Sequence, residues 1–194
     1  MPTPPAWRSS WDSALRSQRG PTARYVQLAT VRSDGRPANR TVVFRGFWGP
    51  DDHRMLFVTD SRSSKVTQGS VTPWGEVCAW WAKPRVQLRV LGRLRFVGWE
   101  GPDEALLRKR HELWARLSSG ARQSWRWPFP GNPRDGAAMF QRATEGVESL
   151  EPEPTFVLVV FEPTRVDELH LKPSPHRRWF HEDQDGWRRW EVNP

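Results

Sequence analysis

Leu56-Phe57-Val58-Thr59-Asp60-Ser61-Arg62-Ser63-Ser64-Lys65 is the stretch on which the reading of this chain turns. It begins as an apolar strand, ends in Thr-Asp, and runs into a polar segment rich in hydroxyls that closes on a lysine. A strand end leading into a helix start offers hydroxyls, free backbone N–H groups and a cation, the set a phosphate monoester binds. Taken alone, the same residues also describe a capped surface helix with solvated charges. Asn39-Arg40-Thr41-Val42-Val43-Phe44-Arg45, just upstream, reads as a second strand carrying two arginines. Side chains alternate along a strand, so Arg40 and Arg45 leave on opposite faces unless a bulge or strand end intervenes.

Working outward, period-two patterning predicts strands over Tyr25 to Arg32 and Ala38 to Phe47, joined at the Asp-Gly turn Ser33-Asp34-Gly35-Arg36. Further strands are expected over Arg54 to Thr59, Glu76 to Ala82, Arg85 to Val97, Thr155 to Glu162, Val166 to Leu171, Arg178 to Glu182 and Gly186 to Val192. Trp7, Trp11 and Leu15 fall on one face of a short helix that ends before Gly20-Pro21. Ser61 to Ser70 predicts another short helix. Pro102 to Leu117 predicts a longer one, opened by Pro102-Asp103-Glu104 and carrying Leu106, Leu107, Leu113 and Trp114. Met1 to Ala6 holds three prolines and reads as a loose tail, and Trp125 to Arg134 as a loop. Many short strands with a few helices predict a mainly β fold, an antiparallel barrel with helical insertions. Doubly wound α/β folds alternate strand and helix and fit poorly. With no repeat and no low-complexity linker, residues 1–194 read as one domain.

The chain's 194 residues suffice for a single core burying roughly 70% of the unfolded surface. Cys78 is the only cysteine, which excludes an internal disulfide and a Cys-rich metal site. His53, His111, His170, His176 and His181 show no ligand spacing, so no metal is expected; only His176 and His181 lie near the site inferred below. No apolar run approaches a membrane span and no secretion signal is apparent, so a cytoplasmic protein is expected. The net charge of +8 raises nucleic-acid binding, but the basic residues are dispersed and mostly arginine, which argues against a concentrated footprint. The thirteen tryptophans suggest walls for an aromatic ligand, a dimer interface, or core filling.

Together, Arg40 to Arg45, Phe57-Val58-Thr59-Asp60, Ser63-Ser64-Lys65 and Arg85-Val86-Gln87-Leu88-Arg89-Val90-Leu91-Gly92 resemble, in order and spacing, the pyridoxamine 5'-phosphate oxidase family of FMN-binding split barrels. The tail Trp187-Arg188-Arg189-Trp190-Glu191-Val192-Asn193-Pro194 is similar to that family's closing strand. The likeness runs from about Tyr25 to Gly92 and returns at Arg177 to Pro194. It implies a homodimer of FMN-binding split β-barrels with the cofactor at the subunit interface, acting as an oxidoreductase on a small molecule. No catalytic side chain is implied, because the flavin does the chemistry.

By the same resemblance, Arg40, Ser64 and Lys65 hold the FMN phosphate, and Arg45 stands where the family has Lys. Thr41, Val42, Val43, Val58 and Thr59 supply contacts along the cofactor. Gln87 bonds the ring edge, and Arg177 or Arg178 reaches the ring from the C-terminal segment. Trp80, Trp81, Trp125 and Trp127 are available to cover it from a partner subunit. For the substrate, Trp114 stands where the oxidase has Tyr, Arg122 and Ser124 are the candidates to serve a phosphate, and His176 is a further candidate near the ring. The oxidase's Arg-x-His element is not reproduced; the nearest sequence is Ser174-Pro175-His176-Arg177-Arg178, which leaves the substrate open. The alternative from another class is a flavin- or haem-binding module without turnover, or a basic barrel that binds nucleic acid.

Overall fold

The computed structural model describes residues 4–101, 103–143 and 150–194. Its strands are β1 (Tyr25–Val31), β2 (Pro37–Val43), β3 (Gly46–Phe47), β4 (Met55–Asp60), β5 (Trp74–Trp81), β6 (Val86–Val97), β7 (Phe156–His170), β8 (Arg177–Asp183) and β9 (Trp187–Val192). The helices are α1 (Ala6–Ser17), α2 (Ser64–Val71), α3 (Glu104–Ala115), α4 (Ser119–Gln123) and α5 (Ala137–Arg142). All strand pairs are antiparallel, in the order β2-β1-β5-β6-β7-β4-β3. One edge of β7 pairs β6 along its length. Its other edge serves β4 over Phe156 to Phe161 and β8 over Arg165 to His170.

The two ends of this path, β2 and β3, are consecutive in the chain, and that connection curls the sheet into a barrel. At the junction the Phe44 amide donates to Arg24 O at 2.8 Å and the Arg45 amide to Leu56 O at 2.8 Å. β2 pairs only β1, and β3 covers β4 only at Met55 and Leu56. Among the described residues no strand pairs the remaining edges, so a gap between β2 and β4 is closed at Arg45 and opens toward Arg40 and Thr59. α2 sits at the open end. Its seat on β6 requires Gly69, where a methyl group would lie 2.5 Å from the Phe96 ring.

Two apolar clusters flank the sheet. Trp7 and Trp11 of α1 are fully buried in the barrel core with Phe44, Phe57, Trp81, Leu88 and Phe161. On the other side α3 covers Leu56, Phe156, Leu158 and Val160 through Leu106, Leu113 and Trp114. Phe156 to Phe161 is therefore buried on both faces, which explains its unbroken apolar sequence. Arg110, only 2% exposed, anchors α3 by donating from Nε to Phe156 O at 2.8 Å and from Nη2 to Glu153 O at 2.7 Å. Asp103 caps the helix by accepting from the Ala105 amide at 2.7 Å; the expected opener Pro102 lies outside the described residues.

Several expectations are corrected. The helix over Ala6–Ser17 begins where the tail was expected to end, and α4 and α5 occupy stretches with no predicted helix. The Ala38 to Phe47 strand is broken at Phe44-Arg45. The segments Thr155 to Glu162 and Val166 to Leu171 are one strand. Pro163 lies opposite Gly92 at a register shift, where the ladder does not require its missing N–H, and a methyl on Gly92 would lie 2.3 Å from Glu162 O. The tryptophans divide: Trp7, Trp11, Trp81, Trp114 and Trp179 are buried, whereas Trp74, Trp80, Trp99, Trp127 and Trp190 are exposed.

Candidate functional site

β2, β4 and α2 converge where the gap opens. Arg40 Nη1 donates to Leu28 O at 3.0 Å and to the Thr30 hydroxyl at 2.7 Å, and Nη2 donates to Gln68 Oε1 at 2.9 Å. Thr30, itself 2% exposed, donates to the same Gln68 oxygen at 2.6 Å. From the start of α2, Lys65 Nζ donates to the Thr59 hydroxyl at 2.9 Å and also contacts Ser63 Oγ. Burial pushes both cations below their ordinary pKa values, and Arg40 adds its repulsion to Lys65.

The nearest carboxylate of the strand–helix turn, Asp60, is engaged by Arg62 at 2.6 Å. Among the described residues, neither Arg40 nor Lys65 forms an ion pair with a carboxylate. Two half-buried, mutually repelling cations held only by neutral oxygens have the charge and donors to take an anion. Ser64 and Gln68 line an adjoining cleft of about 370 Å³ with Arg32, Ser33 and Arg36. Thr30 and Gln68 were not singled out from sequence, and Ser63 only as part of the Ser63-Ser64-Lys65 motif. Gln68, one turn beyond Ser64 on α2, carried the only available signal.

A second group lies on the outer face of the sheet. Gln87 stands opposite Trp80 on β5 and Leu169 on β7, and Leu169 stands opposite Arg178 on β8. Opposed residues share a face, so Gln87 and Arg178 do, whereas Arg177 points to the other side. Arg177 forms an exposed ion pair with Glu191 at 3.0 Å. Arg178 is gripped by Asp167, from Nε to Oδ1 at 2.9 Å and from Nη2 to Oδ2 at 2.7 Å. Among the described residues the Gln87 amide makes no hydrogen bond, so its donor and acceptor are both available.

The remaining sequence-predicted residues are more scattered. Thr41 and Val43 lie on the outer face of β2 and Val42 on its inner face. Val58 packs against the α3 cluster, and its backbone borders the open gap. Arg45 lies just beyond the Val43 end of the β1–β2 ladder, near Arg24 and Tyr25, whereas Arg40 stands at the middle of that ladder opposite Leu28. Burial lowers its pKa, and its Nε is buried without a partner.

The substrate assignments fare differently. Trp114, 1% exposed, packs edge-on to Phe156 at 5.0 Å and Trp125 at 5.9 Å, so it is a core residue. Arg122 caps the end of α3 through Trp114 O at 3.2 Å and Ala115 O at 2.9 Å. Ser124 borders a cavity of about 390 Å³ with Asp60, Arg62, Trp127 and Phe129, and His176 is exposed in the β7–β8 turn.

Of the tryptophans expected to cover the ring, Trp80 and Trp127 are exposed. Trp81 is buried and donates to Ala23 O at 3.1 Å, and Trp125 packs into the α3 cluster. His181, expected near the ring or at the surface, is 1% exposed and bonds Glu168 at 2.7 Å. Among the described residues no group of side chains has the arrangement of a metal site, and no helix is long and apolar enough to cross a membrane.

Comparison with known proteins places the chain among related sequences and structures. Residues 4–98 match the family profile described as pyridoxamine 5'-phosphate oxidase, FMN-binding domain. The chain is 35% identical over 175 residues to the pyridoxine/pyridoxamine 5'-phosphate oxidase 2 of Arabidopsis thaliana, spanning 88% of this chain and 87% of that protein. A crystal structure of a pyridoxamine 5'-phosphate oxidase-related, FMN-binding protein from Nostoc punctiforme superposes with a TM-score of 0.90. That chain is 38% identical, with 97% of this chain and 98% of that one covered. PhzG from Burkholderia lata, solved in complex with tetrahydrophenazine-1-carboxylic acid, superposes with a TM-score of 0.76 at 27% identity, covering 97% and 89% of the two chains.

Proposed function

Because the chain belongs to the pyridoxamine 5'-phosphate oxidase family, we propose that it is an FMN-dependent oxidoreductase of that type acting on a small molecule. The observation that carries this reading is the pair Arg40 and Lys65, two half-buried cations with no carboxylate partner among the described residues at the mouth of the β2–β4 gap. The site fits the group. Arg40, Lys65 and the hydroxyl of Ser64 take the phosphate, and Gln68 and Thr30 hold Arg40 in place for it. The backbones of Val42, Val43 and Val58, at strand edges that no described strand pairs, run along the gap. Gln87 takes the ring edge through an amide able to donate and accept, and Arg178 adds a cation there.

Bound FMN supplies hydride acceptance from the substrate and onward transfer of the electrons. The protein's part is to bind, orient and shield, so no side-chain nucleophile is required.

Within one chain, Arg40 and Gln87 lie three strands apart and on opposite faces of the sheet. A twofold homodimer resolves this separation by setting the outer face of one subunit against the gap of the other, with the cofactor between them. Tyr25 at 45% and Trp80 at 42% exposure provide apolar area on that outer face. The test is titration of FMN into the apoprotein with flavin fluorescence and light scattering. Micromolar or tighter binding to a dimer is expected; no flavin binding, or binding to a monomer, sinks the respective claim. Turnover of pyridoxine or pyridoxamine 5'-phosphate to the aldehyde, followed by absorbance, decides whether vitamin B6 phosphates are the substrate.

A further inference from the structure

We infer that Asp167 is a positioning residue for the flavin ring end of the site: it fixes the guanidinium of Arg178 on the sheet face that Arg178 shares with Gln87, with Nη1 left for the ligand. This rests on the reading above that Arg178 and Gln87 meet the ring.

The geometry is specific. Asp167 stands directly opposite Phe180, so Arg178 is its diagonal neighbour across the β7–β8 pair and leans along the strand to reach it. Both carboxylate oxygens are used on the same edge of the guanidinium, Nε and Nη2, at 2.9 and 2.7 Å. That two-point grip sets the plane of the group and leaves Nη1 unengaged among the described residues. Phe180 lies under the guanidinium, 5.2 Å from its centroid to the central carbon.

Asp167 is itself held. Arg89 on β6 donates from Nη2 to Oδ2 at 2.5 Å, and Arg89 is in turn 3.9 Å from Glu76 on β5. Asp167 is 9% exposed, and although burial alone would raise its pKa, bonds from Arg178 and Arg89 hold it below the ordinary carboxylate range. An arginine on a half-open face otherwise samples many rotamers, and ordering it costs affinity when a ligand binds. The clamp makes that ordering part of the fold. A purely structural role is a poor account of it, because β7 and β8 are already joined along six residue pairs and the core-facing side of the same strands has its own bridge in Glu168 and His181.

The experiment is a double-mutant cycle read by equilibrium binding of riboflavin and FMN, with thermal unfolding alongside. Asp167→Asn, nearly isosteric, is expected to weaken both flavins by a similar factor, about tenfold, because the ring end and not the phosphate is disturbed. In the Arg178→Ala background the same substitution is expected to change neither. Asp167→Ser is carried through the same cycle, so that poor folding of one variant leaves the other to decide. Unchanged flavin affinity in well-folded variants overturns the inference, as does a loss that persists in full without Arg178. Failure of the wild-type protein to bind either flavin overturns the cofactor reading itself, which these variants leave untouched.

Discussion

Lys65 spans the open end of the barrel: its ammonium donates to the Thr59 hydroxyl of β4 at 2.9 Å while lying close enough to Arg40 of β2 for their charges to repel. An anion placed between the two relieves that repulsion, whereas an uncharged ligand gains nothing from it. Lys65→Ala is therefore expected to weaken FMN about ten- to a hundredfold, equivalent to ~1.5–3 kcal/mol, and to leave riboflavin nearly unchanged. Isothermal titration with both flavins checks this. Equal losses would mean that Lys65 supports the fold and not a phosphate.

Glu168 gives the fold an acid-sensitive tie. It is 1% exposed, and although burial by itself would raise its pKa, hydrogen bonds from His170, His181 and Ser10 bring it from the ordinary 4.5 down to about 2. A folded-state value below the unfolded one means that the ionised form is favoured by folding. The contribution, about 3 kcal/mol, is then complete above roughly pH 4.5 and disappears as the pH falls toward 2. Urea unfolding midpoints from neutral to acid pH should show this limb in the wild type and a flatter one in Glu168→Gln. Parallel limbs in the two proteins would refute the assignment.

Trp114 should behave as a core residue. Trp114→Ala removes packing against Phe156 and Trp125 and is expected to cost about 3–5 kcal/mol, seen as a lower Tm. Trp114→Phe should recover part of the loss and leave KM for any substrate within twofold. A changed KM at unchanged Tm would return Trp114 to the substrate site.

Gly92 is held by close approach and not by flexibility. A methyl there meets Glu162 O at 2.3 Å, a backbone atom with no room to retreat at the register shift. Gly92→Ala should lower stability by about 1–3 kcal/mol while the ratio of FMN to riboflavin affinity stays fixed. Unaltered stability would mean that the bulge relaxes freely.

Much of this arrangement is legible in the chain because its signals are local. Alternation marks the strands, Trp7 and Trp11 mark the buried side of α1, and Thr59 and Lys65 stand at a strand–helix turn whose chemistry is readable in sequence. What escapes depends on contacts between distant segments. Gln68 becomes part of the site only because α2 docks on β1 and β6, which Gly69 allows. His181 sits in a polar strand that reads as exposed, and only pairing with Glu168 buries it. Pro163 looks like a strand end until Gly92 supplies the bulge opposite it. Arg178 and Arg177 are indistinguishable as neighbours in sequence, and register alone separates their faces.

The double use of β7 also sets the order in which the protein can take shape as it is made. Met55 pairs with Phe161 and Arg165 with Glu182, so β4 has no long partner until β7 has been synthesised, whereas β1, β2, β5 and β6 can pair beforehand. Of the two edges that border the β2–β4 gap, that of β4 therefore belongs to a strand made early but set in place late. Until then the nascent chain carries β4 as an unpartnered apolar strand. Pairings between segments so far apart in sequence close slowly, and that interval is when this protein is most exposed to aggregation and most in need of a chaperone.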